Sequence, residues 1–407
     1  MDFQSRTLAG AARILSVDYN SRQVKLLAFA LLIPVLAVLP GRAADPPEVI
    51  VQKAQEAHRA GDLTTAIRLY REFLSEHPEV AEIRSNLGAA LARDGQFEAA
   101  IKEYREALKK LTNPGIRLNL ALAYYKLGRL PEAVQEFEIV HKSQPDSLQT
   151  VYLLGDCWLQ MGQSQQVIDM LTPLQAQHPE DKAIAYMLGT ALLSLHRTGL
   201  AQMVLDRVLR EGESAEAALL LGASEFEAHD SKAALVHFQR AIALNPKLPS
   251  AHGFYARALK ETGDSDGAAQ QYREELKLNP YDYVSNLDTV LLLKEEGKLD
   301  EALVHVDRAL RVRPGDAGAL YQRAAIHVLQ ARNEQARAEL EGLIQAYPNF
   351  TEAHVSLATT YYRLKRKEDG DRERGIVRQL QEAEQKRLEQ SQKQTPATAG
   401  AQAPPKP

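Results

Sequence analysis

AEIRSNLGAALARDGQFEAAIKEYREALKKLTN, residues 81–113, contains two apolar patterns of helical period parted by Asp94-Gly95. Leu87 and Leu91 lie one turn apart, and Ile101, Tyr104 and Leu108 follow at spacings of three and four. No segment alternates apolar with polar residues as a half-buried strand does. The same unit recurs with openings at Pro47, Ala81, Pro114, Leu148, Lys182, Ala215, Pro249, Tyr283, Ala317 and Thr351, always 33 or 34 residues apart. A fixed period of this length marks stacked supersecondary units.

Four positions of the unit carry the pattern, and each has a mechanical reason. Position 8 is Gly or Ala (Ala54, Gly88, Ala121, Gly155, Gly189, Gly222, Ala256, Ala324, Ala358), with Val290 the exception. Position 20 is Ala66, Ala100, Ala133, Ala201, Ala234, Ala268, Ala302 and Ala336, with Val167 standing in. Small residues at both places are expected to let two helices touch. Position 15 is Gly61, Gly95, Gly128, Gly162, Gly263 and Gly297, where a left-handed residue can cap a helix. Position 32 is Pro78, Pro145, Pro179, Pro246, Pro280, Pro314 and Pro348, which cannot continue one.

A unit of helix, turn, helix and stop resembles the tetratricopeptide repeat. That resemblance implies an all-α, right-handed α-solenoid of ten helix-turn-helix repeats over residues 47–384. The sequence departs from the family at position 4, where Ile50, Arg84, Val151 and His252 replace the favoured Trp. Repeat 5 has Glu213 in the terminal Pro slot, and repeat 10 has Gly370 and Arg374 where Ala and an aromatic are expected. The polar stretch 368–392 has Ile376, Val377, Leu380 and Leu388 as its apolar contacts and reads as a capping helix, since the last unit of a stack has no neighbour. Residues 393–407 read as a disordered tail.

The chain's 407 residues, 45% hydrophobic and 25% charged, are those of a packed protein. A formal charge of −4 gives no general attraction to nucleic acid. The single cysteine, Cys157, excludes an intrachain disulfide and any multi-cysteine metal site. At the front, residues 26–39 (LLAFALLIPVLAVL) form an apolar run after Arg22 and Lys25, followed by Gly41-Arg42-Ala43-Ala44. Residues 1–43 therefore read as a signal peptide, because the run is shorter than the roughly 20 residues of a spanning helix. The expected address is export to the periplasm or medium, and an uncleaved anchor in the inner membrane is the other reading.

By resemblance to the family, the first helix of each repeat lines a concave face. In repeats 3 to 6 its facing positions hold Leu118, Asn119, Leu122, Tyr125, Tyr152, Asp156, Tyr186, Thr190, Leu193, Leu219, Phe226 and Glu227. Two readings stand side by side: an aromatic groove for an extended peptide or helix, or rings packed between neighbouring first helices. Repeats 7, 8 and 10 present Arg257, Lys260, Lys294 and Arg363, either to receive carboxylates or as a solvated face beside Glu261 and Glu295. The family's carboxylate clamp for chaperone tails is matched only at Asn86, against Val51, Gln55, Gly115 and Asn119, so that ligand is not expected.

No catalytic constellation is legible. Gly263-Asp264-Ser265-Asp266-Gly267 spells the G-x-S-x-G of a nucleophile elbow, but falls at a helix-helix turn and not between strand and helix. The histidines are scattered, His77 and His178 occupy pre-proline turn slots, and Cys157 reads as a small buried hydrophobe. No cofactor and no metal are expected. The sequence thus points to a non-catalytic scaffold for protein or peptide partners, or to an assembly factor bridging subunits of an envelope machine for secretion, pilus or exopolysaccharide. An enzyme would need an unrecognised polar cluster such as Asp156 with Asn119.

Overall fold

The computed structural model describes residues 45–210 and 214–394. The apolar run at 26–39, residues 41–44, Glu213 and residues 395–407 of the expected tail lie outside the described residues, while 393 and 394, expected in the tail, continue the last helix, Lys367–Gln394. Among those described there are twenty helices and no strand. Nine of the ten first helices start at the residue that opens the corresponding unit; in repeat 7 the helix starts at Ala251, after Ser250 in a left-handed conformation. Two compact units are formed, one ending at Asp282 and the other beginning at Tyr283. The first contains repeats 1 to 7 and the second repeats 8 to 10.

Capping residues recur with the period. Asn113, Ser147, Asp181, Ser214 and Asp316 accept backbone N–H groups at the start of first helices, and Asp62, Asp230 and Asp264 do so for second helices. Each such cap is worth about 1 kcal/mol. The Asp264 side chain accepts from the Gly267 N–H at 2.8 Å, so G-D-S-D-G is a helix cap in a turn. Position 15 has positive φ in every repeat. The six glycines there lie at 69 to 92°, while His196, His229, Ala331 and Lys365 adopt the same region at 55 to 62°. The turn geometry therefore overrides the steric preference of L residues in four repeats, at about 1–2 kcal/mol each.

In repeats 1 to 9 an apolar side chain of the second helix is buried in the core, and in repeats 2 and 6 it is seated over a glycine at position 8. Tyr70, Tyr104, Phe137, Leu171, Leu205, Phe238, Tyr272, Val306 and Leu340 all stand at position 24, and all are buried. A Cβ added to Gly88 would lie 2.8 Å from Tyr104, and one added to Gly222 would lie 2.7 Å from Phe238. Position 8 is thus small both to receive position 24 and to let the two helices touch, since the Cβ at Gly222 would also lie 3.2 Å from the carbonyl oxygen of Ala234 at position 20. Where position 24 is only a leucine, the space is filled from the next repeat. Met187 closes on Gly155 and Leu220 on Gly189. Burial of an aromatic ring of this kind stabilises by roughly 2–3 kcal/mol.

In the second unit the terminal helix, Lys367–Gln394, packs on the first helix of repeat 10, Thr351–Arg363. Gly370 is buried where a Cβ would strike the Tyr362 ring at 2.7 Å. The glycine therefore takes the place of the expected alanine.

Candidate functional site

The polar residues at position 4 have partners across the helix pair. Arg84 reaches Glu103 at 2.9 Å, Arg117 reaches Glu136 at 2.7 Å, His252 meets Gln271 at 2.7 Å, Asn286 meets His305 at 2.9 Å and His354 meets Glu373 at 2.6 Å. In each pair the second residue stands at position 23. Arg84 also donates to the Pro78 carbonyl at 2.9 Å, and His252 and His354 meet the carbonyls of Pro246 and Pro348. All five side chains thus join the repeat's two helices, and Arg84, His252 and His354 also tie them to the preceding turn.

The residues expected to form a groove divide into three sets. Leu118, Asn119 and Leu122 stand half-buried on the first helix of repeat 3, Pro114–Lys126. Phe226, Leu193 and Leu219 are buried in the core, so these three follow the reading of side chains packed between helices and not that of an open groove. The Phe226 ring lies 6.5 Å from Phe238, and the Arg257 guanidinium stands 5.0 Å above it, so Arg257 covers an aromatic ring. Lys260 is half-buried one turn further on.

The third set links neighbouring repeats. The Tyr125 hydroxyl donates to Asp156 Oδ2 at 2.6 Å, and Gln160 Nε2 donates to the same oxygen at 2.7 Å. Tyr152 donates to Asp181, whose other oxygen accepts the N–H groups of Ala183 at 2.9 Å and Ile184 at 3.0 Å. Tyr186 and Tyr152 pack against the buried cluster of repeats 4 to 7, with Thr190 one turn on from Tyr186 in the same helix. Burial pushes the Tyr125 and Tyr186 phenols and the Asp156 carboxyl upward, with the Asp156 shift opposed by its two donors. Cys157 is buried next to them and its thiol is likewise raised by burial. It has the environment of an inert core residue.

Elsewhere, Lys294 donates to Gln322 at 2.6 Å and Arg363 to the Val328 carbonyl at 2.7 Å. Both cations are therefore used between adjacent repeats of the second unit. Among the described residues no group of three His, Cys, Asp or Glu side chains could hold a metal ion, and no helix is long and apolar enough to cross a membrane.

The structure adds residues that sequence reasoning did not select. Turn 279–282, Asn-Pro-Tyr-Asp, follows the second helix of repeat 7, Ser265–Leu278, and lies against repeats 3 and 4. Asn279 Nδ2 donates to Gln160 Oε1 at 3.2 Å, 119 residues away. A side chain at Gly128 would collide with the Tyr281 ring. Tyr281 stands at position 33, where other repeats carry Glu79, Asp146, Glu180, Lys247, Gly315 and Asn349; an aromatic in a polar slot was the available signal. Glu275 is buried at position 27, where Ala107, Ala241 and Ala309 stand elsewhere. Its carboxylate accepts the N–H groups of Ser250 at 3.0 Å and Gly253 at 3.3 Å, capping a helix that lacks a cap of its own. Burial first, and then the neighbouring Asp282, raise the Glu275 carboxyl well above the usual range.

Two family models, both described as Tetratricopeptide repeat, match the chain. One matches residues 51–113, 186–249 and 219–283, the other residues 91–153 and 293–359, together more than half of the sequence. The chain is 23% identical over 321 residues to the DnaJ homolog subfamily C member 7 homolog of Schizosaccharomyces pombe, covering 69% of this chain and 67% of that one. It is 21% identical over 322 residues to the human protein O-mannosyl-transferase TMTC3, covering 74% of this chain and 35% of that protein. With the CTR9 homolog of Arabidopsis thaliana it shares 28% over 326 residues, 76% of this chain and 27% of the other. The chain thus spans about a third or less of the length of the last two. Among solved structures, the crystal structure of the APC/C hetero-tetramer Cut9-Hcn1 aligns with a TM-score of 0.51 at 14% identity, over 82% of this chain and 73% of that one. That likeness speaks for the helical solenoid fold.

Proposed function

The chain belongs to the tetratricopeptide repeat family, and from that premise we propose that it is a non-catalytic scaffold that holds partner proteins or peptides on the concave face of its first helices. The family and the fold support a role in protein interaction. The finer reading rests on one observation: Leu118, Asn119 and Leu122 are half-buried on a first helix, next to a polar network that fixes the donors and acceptors around them. Such a mosaic of apolar area and oriented polar groups suits an extended polypeptide. We further propose export to the cell envelope, which the apolar run at 26–39 and the small residues after it support. No step of bond making or breaking is assigned to the scaffold.

The test is partner capture from the native cell with the full chain and with an Asn119→Arg, Leu122→Arg double variant. The reading expects partners recovered by the wild-type chain to be lost by the variant while the far-ultraviolet circular dichroism stays unchanged. Recovery of the same partners by both would refute it. Export is tested by fractionation, where retention of the chain in the cytoplasm would refute that part alone.

A further inference from the structure

The Asn279–Asp282 turn is seated at the C-terminal ends of the first helices of repeats 3 and 4, on Gly128 of the inter-helix turn and Gln160 at the end of helix Leu148–Gln160, by features that together make a receptor. Gln160 Nε2 donates to Asp156 Oδ2 at 2.7 Å and to the Tyr125 hydroxyl at 3.4 Å, which fixes the Gln160 amide so that Oε1 is the atom presented to the turn. The seat therefore asks for an N–H donor, and Asn279 supplies one. The asparagine is in turn held by its own backbone: Oδ1 accepts the Tyr281 N–H at 3.1 Å, and the Asn279 carbonyl accepts the Asp282 N–H at 3.1 Å. This is the local geometry of an Asx turn, and it fixes the spacing between carboxamide and ring.

Gly128 forms the other half of the seat. Its φ of 69° alone does not demand glycine, since His196, His229, Ala331 and Lys365 adopt the same conformation at position 15. What demands glycine at 128 is the Tyr281 ring, which occupies the space of any Cβ there.

We propose that turn 279–282 is a built-in occupant of this seat, and that the partner of the scaffold is a polypeptide presenting a carboxamide two residues before an aromatic ring, which displaces it. The inference rests on the concave-face reading above and gives that face its ligand chemistry. Binding in trans is weakened by the tethered competitor, because only the fraction of molecules with the turn released can accept a ligand.

The test uses the full chain and a fluorescent peptide copying residues 277–284, Lys-Leu-Asn-Pro-Tyr-Asp-Tyr-Val, with fluorescence anisotropy as the readout. The Asn279→Ala, Tyr281→Ala double variant is expected to bind the peptide about tenfold or more tightly than the wild-type chain, the factor set by release of a turn seated nine-tenths of the time. Adding Gln160→Ala should abolish the gain, and a peptide with Asn→Leu and Tyr→Ala should not bind. Equal affinity of wild type and double variant, or no binding by either, overturns the proposal. Should the double variant lose helicity, Gln160→Ala alone is read by the distance between spin labels at Gln165→Cys and Gln270→Cys, both on exposed positions. A longer, broader distribution than in the otherwise wild-type chain supports a releasable turn, and an unchanged one overturns it. Neither readout uses a natural partner, so failure here leaves the capture experiment above to stand or fall by itself.

Discussion

Replacing Gly222 by Ala sets two opposed terms against each other. In an exposed helix interior this change stabilises by about 1 kcal/mol, through reduced chain entropy in the unfolded state and better helix propensity. At 222 the new methyl would sit 2.7 Å from two carbons of the Phe238 ring and 3.2 Å from the Ala234 carbonyl oxygen. Ordinary carbon contacts lie near 3.5–4.0 Å, so one of the partners has to shift by about 1 Å. Phe238 has little freedom to do so. It is fully buried, stacked on Phe254 at 5.7 Å and tilted against Phe226 at 6.5 Å. Overpacking of this kind costs about 1–3 kcal/mol, which leaves a net loss of about 1 kcal/mol. Gly342 supplies the comparison, because it is exposed within its helix and nothing lies within 4 Å of an added Cβ. Gly342→Ala should therefore gain about 1 kcal/mol. Urea unfolding followed by circular dichroism measures both, and Phe238→Leu combined with Gly222→Ala should show positive coupling in a double-mutant cycle. A gain at 222 equal to that at 342 would refute the interlock of positions 8 and 24.

Ala331→Gly should stabilise the second unit by about 0.5–1 kcal/mol in the same assay, since relief of left-handed strain exceeds the added chain entropy; a loss would refute the strain argument. Asp181→Ala removes both a helix cap and the acceptor of Tyr152, so it should cost about 2 kcal/mol, against about 1 kcal/mol for Asp230→Ala, which caps Ala233. Equal losses would show the tyrosine bond to be idle. Glu275 holds its proton more tightly folded than unfolded, so the folded state binds the extra proton above the ordinary glutamate range near 4.3 and stability falls as pH rises through that window. Glu275→Gln should thus stabilise relative to wild type at pH 8 and much less at pH 4; a difference independent of pH would contradict the assignment.

The helical architecture was legible in the sequence because its determinants are local. Period, cap and stop signals sit within one unit, and the first helices begin where Ala81, Pro114 or Leu148 open theirs. Position 24 was visible as an apolar site at Tyr104, but that its ring rests on position 8 depends on the angle at which two helices cross, which spacing does not encode. The groove was harder for a related reason. Tyr125 and Phe226 sit on equivalent kinds of helix face, yet one donates to Asp156 and the other is enclosed by Phe238 and Arg257. Neighbouring repeats decide the difference. The approach of Asn279 to Gln160 depends on the path of the chain over two intervening repeats, and only the odd residues Tyr281 and Glu275 hinted that repeat 7 is unlike the rest.

The most direct test of the scaffold account places a photo-crosslinking amino acid at single positions of the full chain in its native cell. Asn119 and Leu122 lie on the first helix of repeat 3, while Gln135 lies exposed on the second helix of the same repeat, Leu130–Ser143. The account predicts covalent partner adducts from 119 and 122 and none from 135. Adducts from 135 alone would contradict it.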